Sequence, residues 1–245
     1  MLHSSGTLHA KQGDYESARH LYEQSLAIRR PLGDKPNTAS LLNNLGIIAR
    51  FGGAYERARA LQEESLSIRR EIADKWAIAN SLNNLGVFTL VINQLDEARS
   101  RLEEALSLLR QVGDPWAIAN ALNNLGNVAR GQKDFTTAAQ MYQESILIYE
   151  EYGDKRALAY LLEDVGCLAA LQGNPDRALK LVSNAAALRQ VIGSPLSETE
   201  QERIDYTLEL VRQALGTASK AQAWQAGREM DLEQAIQYAL NNTAD

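Results

Sequence analysis

Two sets of polar side chains in this sequence could do chemistry, and only one of them recurs at a fixed spacing. The first set is the histidines and the lone cysteine: His3, His9 and His20 lie near the N-terminus, whereas Cys167 lies far along the chain. These residues form neither a metal-ligand spacing nor a nucleophile paired with a base. The sequence therefore predicts no catalytic residue, no metal and no cofactor, and the chain is not expected to be an enzyme.

The second set consists of asparagine, arginine and tryptophan side chains that recur from one 40-residue unit to the next. Unit by unit, its members are Asn43 and Arg50, then Trp76, Asn80 and Asn83, then Trp116, Asn120, Asn123, Asn127 and Arg130. Spacings of three and four keep each set on one face of a helix. A carboxamide both donates and accepts hydrogen bonds, so a row of them can bind the backbone of an extended peptide. Arginine adds charge-assisted bonds to carboxylates, and indole adds a stacking surface. We predict that these residues form a partner-binding site.

Part of this asparagine content has a structural explanation. Asn44, Asn84 and Asn124 point away from the stripe and are expected to hydrogen-bond between helices. Trp76 and Trp116 have two possible roles, because each could either contact a partner or cover the loop of the adjacent repeat.

These residues belong to a segment that returns every 40 residues. Leu41–Gly46 recurs at Ser81–Gly86 and Ala121–Gly126, with a diverged copy at Leu161–Gly166 and a remnant at the N-terminus. Within each unit the apolar residues follow helical spacing in two blocks. In the second unit they predict one helix over 35–51 and another that ends near residue 73. The sequence is thus a repeat array of helix pairs.

Small residues at fixed positions indicate how the helices pack. A glycine falls in the middle of each first helix, where it costs about 1 kcal/mol relative to alanine; these are Gly6, Gly46, Gly86, Gly126 and Gly166. An alanine follows each of them twelve residues later, from Ala18 to Ala178. We predict that the two positions mark the closest approach of paired helices.

In this pattern the chain resembles the tetratricopeptide repeat (TPR) family. Leu82, Leu85-Gly86, Leu95, Ala98 and Leu102 fill the positions of that motif in the third unit. The 40-residue period, longer than the usual 34, is similar to the subclass found in kinesin light chain, bacterial peptide-sensing receptors and large bacterial signalling ATPases. The resemblance implies an all-α, right-handed solenoid of antiparallel helix pairs, in which the first helix of each pair lines a concave groove.

The two ends of the chain differ from the repeats. Residues 1–193 are predicted to form five units, of which the first is truncated, so we expect that the chain is a fragment of a longer protein. Residues 194–245 are predicted to form capping helices, opened by Ser197 and Glu200 as a capping box and continued by two shorter helices after Gly216. Their final stretch is similar to the C-terminus of large bacterial multidomain regulators.

Composition narrows the class of partner. The net charge of −6 and the pI near 5.2 argue against general affinity for nucleic acid or for an anionic membrane. A single cysteine suits a reducing compartment, and no apolar run is long enough to span a bilayer. The sequence predicts a cytoplasmic protein.

Together these features predict a non-enzymatic module that binds a protein or an extended peptide. By resemblance it is the sensor or scaffold arm of a larger bacterial signalling or transcription-regulating protein. Two alternatives stay open: a scaffold that self-assembles into a homo-oligomer through its exposed first repeat, and a receptor for a short peptide pheromone.

Overall fold

The computed structural model describes residues 2–241, except for the side chain of Thr199. Within that range the chain is all α-helix, without a strand, as the sequence predicts. The helices are α1 (Leu2–Lys11), α2 (Tyr15–Arg29), α3 (Lys35–Phe51), α4 (Tyr55–Glu71), α5 (Lys75–Val91), α6 (Leu95–Val112), α7 (Pro115–Gly131), α8 (Phe135–Glu151), α9 (Lys155–Leu171), α10 (Pro175–Ile192), α11 (Glu198–Ala214), α12 (Thr217–Glu229) and α13 (Leu232–Leu240). They divide into two compact units, unit 1 ending at Asp114 and unit 2 beginning at Pro115.

Short turns separate the helices because the sequence supplies stop and start signals at each boundary. Gly53, Gly153 and Gly173 adopt the left-handed backbone that ends a helix without steric cost. Asp74 and Asp154 then accept hydrogen bonds from the free amides of Ala77 and Ala157, each at 3.0 Å. The predicted first helix of the second unit, over 35–51, coincides with α3.

The repeated glycines do lie where paired helices approach each other, but the nearest neighbour is not the predicted alanine. A Cβ at Gly126 would lie 2.5 Å from the Tyr142 ring, and one at Gly86 would lie 2.5 Å from Leu102. Both contacts are with the side chain sixteen residues on. The predicted alanine contributes its backbone carbonyl at Gly46, where Ala58 lies 3.3 Å away. The glycine therefore makes room mainly for a large residue on the second helix.

Ion pairs link successive second helices of unit 1. Arg70 and Glu104 lie 2.8 Å apart, Arg59 and Glu97 lie 3.0 Å apart, and Arg30 pairs with Glu64. Most of these side chains are exposed, so each pair contributes little to stability. These regularly placed ion pairs give the acidic residues of the second helices a structural role on the solvent-exposed surface.

The last three helices cover α9 and α10 in unit 2. Both sides of the capping box at Ser197 and Glu200 are present, as predicted. Ile204 and Val211 of α11 are buried against the last repeat, and Asp231 caps α13. Helix α12 approaches α10 so closely that a Cβ at Gly227 would overlap the backbone carbonyl of Lys180.

Candidate functional site

In unit 1 the asparagines of neighbouring repeats hydrogen-bond to each other. The Asn84 amide nitrogen donates to the Asn43 carbonyl oxygen at 2.9 Å and to Asn80 at 3.2 Å. Asn43 itself is buried, whereas Asn80 and Asn83 are partly exposed. The interhelical role expected for Asn84 is therefore present, and Asn43, a predicted partner-binding residue, shares in it.

The same spacing joins the repeats of unit 2, with an aspartate in place of the second asparagine. Asn123 donates to the Asp164 carboxylate at 2.9 Å, and Asn127 donates to it at 3.3 Å. Arg130 approaches the same carboxylate at 3.2 Å, and Tyr142 donates to Asn127 at 2.9 Å. Three predicted site residues thus converge on one buried carboxylate.

Helix α11 completes this Asp164 network from the other side. Arg203 bonds to Asp164 and lies 3.2 Å from Glu163, which also accepts from Arg189 at 2.5 and 3.0 Å. Burial disfavours the ionised form of Asp164, but the charges of Arg203 and Arg130 outweigh it and hold the pKa of this carboxyl below its usual value. The ionised network joins α7, α9 and α11.

The two tryptophans each bond to the aspartate at the start of the next repeat. Trp76 donates its indole N–H to Asp114 at 2.9 Å, and Trp116 donates to Asp154 at 3.0 Å. About half of each side chain stays exposed, at 46% for Trp76 and 51% for Trp116. Each indole therefore hydrogen-bonds to that aspartate and stays partly exposed to solvent.

A pocket opens beside Trp116 in unit 2, and we call it the α7–α9 pocket. Its volume is about 380 Å³, and its walls include three predicted partner-binding residues, Trp116, Asn120 and Asn123. Tyr149 of α8 contacts the Trp116 ring edge-on at 6.1 Å between ring centroids, and burial raises the pKa of Tyr149 to about 12. Asp154, the N-cap of α9, and four residues of α9 close the pocket: Arg156, Ala157, Tyr160 and Leu161.

The predicted arginines lie outside this pocket. The guanidinium of Arg50 stacks 4.5 Å from the centre of the Phe51 ring, and Arg130 faces Asp164. Cys167 is buried and lies 3.0 Å from the Thr207 hydroxyl; burial raises the pKa of its thiol. A group of His, Cys, Asp and Glu suited to a metal ion is absent from residues 2–241.

Several site residues were not predicted from the sequence. Tyr149 and Tyr160 carry no repeat signal that would place them at a pocket. Asp164 and Arg203 do carry one: Asp164 replaces the asparagine of earlier repeats, and Arg203 follows Glu163 by one full period. A buried carboxylate at a position that is asparagine in the earlier repeats requires a cation nearby. A search of the sequence for that cation could have identified Arg203.

Solved structures with a similar fold include TPR proteins of several roles. BtubC (BKLC) from P. vanneervenii is 21% identical, with 79% of this chain and 80% of that chain covered and a TM-score of 0.65. A putative kinesin light chain from Podosopora anserina with nearly identical TPR-like repeats is 15% identical, with 79% and 95% covered and a TM-score of 0.62. A Rap protein complexed with competence and sporulation factor is 15% identical, with 97% and 71% covered and a TM-score of 0.65.

These similarities confirm the predicted fold class. A search of curated proteins finds no significant match. None of the helices in the described residues is long and apolar enough to cross a membrane. The tetratricopeptide repeat family model matches residues 1–71, 77–146 and 117–190, which together span most of the sequence. The chain therefore belongs to the tetratricopeptide repeat family.

Proposed function

We propose that this chain is a non-enzymatic module that binds an extended peptide segment of another protein. The α7–α9 pocket is the observation that carries the proposal. It has an aromatic wall in Trp116 and Tyr149, and Asn120 supplies a carboxamide at its edge. Concave sites with an apolar lining and a few polar groups are the usual form of a ligand site.

The chemistry of the pocket favours a backbone contact together with one anchored side chain. Asn120 can hydrogen-bond to a peptide unit of the ligand, because an amide both donates and accepts. The half-exposed Trp116 ring offers an apolar surface, and a partner that covers it gains the free energy of burial. Binding of this kind depends little on the identity of most ligand side chains.

The predicted residues divide between two roles in this proposal. Trp116 and Asn120 contact the ligand, as Trp76, Asn80 and Asn83 do in unit 1. Asn43, Asn127 and Arg130 chiefly hold neighbouring helices together, and Asn123 serves both roles because it lines the pocket and bonds to Asp164. Substitution of Asn123 and Asn127 should therefore lower stability as well as binding.

The wider setting that we propose is the sensor or scaffold arm of a bacterial signalling or transcription-regulating protein in the cytoplasm. Support comes from the 40-residue repeat and from the fold shared with a Rap protein whose solved complex holds competence and sporulation factor. TPR folds generally serve as non-catalytic interaction scaffolds, which agrees with the absence of a catalytic grouping in the sequence.

The proposal is tested with peptides selected against the intact chain from a random-peptide display library. The affinity of the selected peptides is then measured for Trp116→Ala and Asn120→Ala. We expect each substitution to weaken binding about tenfold, because it removes a stacking surface or a hydrogen bond from the ligand. Far-ultraviolet circular dichroism should stay unchanged.

Tyr152→Ala provides the matched control, since Tyr152 is 55% exposed and does not line the α7–α9 pocket. Its affinity for the peptides should equal that of the unsubstituted chain. Peptides that bind the Trp116→Ala, Asn120→Ala double variant with full affinity would show that the ligand lies elsewhere.

A further inference from the structure

Helix α13 occupies a defined site on unit 2, which we call the α13 site. Ile236 and Ala239 pack into the same buried cluster as Val165 and Leu168 of α9. The end of the helix is held by polar contacts: Gln143 donates to the Leu240 carbonyl at 2.9 Å, and Arg177 donates to the Ala239 carbonyl at 3.0 Å and to that of Asn241. The site thus binds an apolar helix face together with the carbonyls at the C-terminal end.

Three of six positions in the α13 site carry residues of the same kind three repeats earlier in unit 1. Each residue of the α13 site has an equivalent 120 residues earlier, which is three 40-residue periods. In the same order, Ala139, Gln143, Val165, Leu168, Gln172 and Arg177 correspond to Arg19, Glu23, Leu45, Ile48, Gly52 and Arg57. Five of these six unit 1 residues, all but Glu23, line an open hollow of about 370 Å³. We call this hollow the Arg57 site.

The Arg57 site keeps the two features that hold α13. Arg57 stands in the position of Arg177, which binds the helix end. Leu61 occupies the position equivalent to Leu181, a buried residue of the apolar cluster into which α13 packs. Exposed aromatic rings enlarge the apolar surface of the hollow: Phe51 is 57% exposed and stacks on Tyr15 at 5.4 Å between ring centroids.

The equivalent position in the next repeat of unit 1, formed by α4, α5 and α6, does not suit a bound helix. Glu97 takes the place of Arg177, and Arg101 takes the place of Leu181. Arg101 lies 2.5 Å from Glu63, and Glu97 lies 3.0 Å from Arg59, so ion pairs span the two second helices there. A helix end would meet a carboxylate at Glu97 instead of a cation. The equivalent position at α4, α5 and α6 therefore does not resemble the α13 site.

Three charged residues distinguish the Arg57 site from the α13 site. Arg19 replaces Ala139 and lies 3.7 Å from Glu23. Glu23 replaces Gln143 and lies 2.8 Å from Arg57, and Glu16 replaces Thr136 at the edge of the hollow. Helices commonly carry Lys or Arg in their last turn, where these cations favour the negative end of the helix dipole. Helix α13 carries none in its last turn. Once Arg57 donates to the carbonyls of a bound helix, the two carboxylates of Glu16 and Glu23 outnumber the remaining cation, Arg19, and complement a helix whose last turn is basic.

We propose that the Arg57 site binds the C-terminal end of a short amphipathic helix from another polypeptide, with an alanine- and leucine-rich face and a basic residue in its last turn. The apolar face covers Ile48 and Phe51. Arg57 donates to the last carbonyls of the bound helix, as Arg177 does for α13. The basic side chain of the bound helix then pairs with Glu23 in place of Arg57. This second binding surface is independent of the α7–α9 pocket.

The probe is a synthetic peptide with the sequence of residues 231–241, which keeps the capping box of Asp231 and Gln234. A second peptide carries Asn241→Lys. Binding of both to the full chain is measured by isothermal titration calorimetry. We expect the lysine peptide to bind about two- to fivefold more tightly, as for an exposed ion pair. We expect Arg57→Ala to weaken it about tenfold, through loss of charged hydrogen bonds.

Two variants make the result decisive. Arg177→Ala should leave the affinity for the lysine peptide unchanged, because Arg177 belongs to the α13 site. Arg70→Ala should also leave it unchanged, because Arg70 is an exposed arginine of α4 outside the Arg57 site. Loss of binding in Arg177→Ala with full binding in Arg57→Ala would show that the peptide merely exchanges with α13, and it would overturn the proposal. Failure of either peptide to bind the unsubstituted chain at millimolar concentration would overturn it too.

Discussion

Asp164 is the residue on which most of the polar structure of unit 2 converges. Its carboxylate accepts from Asn123 and Asn127 and pairs with Arg130 and Arg203. A buried charge that loses its partners is costly, which makes such a network sensitive to single changes. The same asparagines that qualify as ligand-binding groups are thus needed to keep α7, α9 and α11 together.

The buried Asp164 carboxylate makes the stability of the protein sensitive to acid. Because the folded-state pKa of Asp164 lies below the usual value of about 3.9, its ionised form contributes stability that is complete above that value and is lost as the pH falls through the folded-state pKa. Asp164→Asn should lower the free energy of unfolding by about 3 kcal/mol at pH 7. The difference from the unsubstituted chain should shrink towards pH 2.

Urea unfolding at a series of pH values measures this effect. Asp205→Asn is the control, because Asp205 is exposed and accepts a hydrogen bond from Gln201 within the same helix, α11. Its stability should stay within about 0.5 kcal/mol of the unsubstituted chain. A deficit for Asp164→Asn that is equally large at pH 2 and pH 7 would contradict the assignment of an ionised, stabilising carboxylate.

Helix α12 depends on one glycine for its contact with α10. A Cβ at Gly227 would overlap the Ser183 hydroxyl and the Lys180 carbonyl and would lie 2.7 Å from the Lys180 Cα. Backbone atoms of a packed helix cannot rotate away as a side chain can. The Asn184 amide also donates to the Gly227 carbonyl at 3.0 Å, which fixes the two helices at this distance.

Gly227→Ala is therefore expected to destabilise unit 2 by about 1–3 kcal/mol through overpacking, even though alanine favours the helix itself. Thermal unfolding and amide hydrogen exchange of α12 are the measurements, and protection in α12 should fall first. Gly216→Ala is the matched control, since a Cβ there meets open space. Equal stability of the two variants would show that α12 does not pack on α10 as described.

The repeat register makes the helix boundaries predictable, but it does not predict every side-chain contact. Boundaries such as those of α3 follow from Asp and Gly signals that act within a few residues. The partner of Gly126 was predicted at Ala138, but the ring of Tyr142 is nearer because a long side chain reaches across the helix pair. Spacing fixes the face of a helix on which a residue lies, and side-chain size decides what it touches.

The whole molecule is expected to be a monomer in isolation. Both proposed sites take segments of other polypeptides, so the isolated chain should sediment as a 27.0 kDa monomer at tens of micromolar concentration. Sedimentation equilibrium at several concentrations measures this directly. Concentration-dependent growth of the mass would favour the alternative of a self-assembling scaffold. Growth abolished by Phe51→Ala would further place the contact at the Arg57 site.

The family, the helix pairs and the repeat register can be predicted from the amino-acid sequence alone, because they depend on periodic apolar residues and on local capping signals. The contacts and burial of the asparagines and tryptophans became visible only in the tertiary structure. Asn43 of α3 and Asn83 of α5 occupy equivalent repeat positions, yet Asn43 is buried and Asn83 is partly exposed. The α7–α9 pocket and the Arg57 site likewise required coordinates, since each combines side chains from three helices whose distances no linear spacing contains.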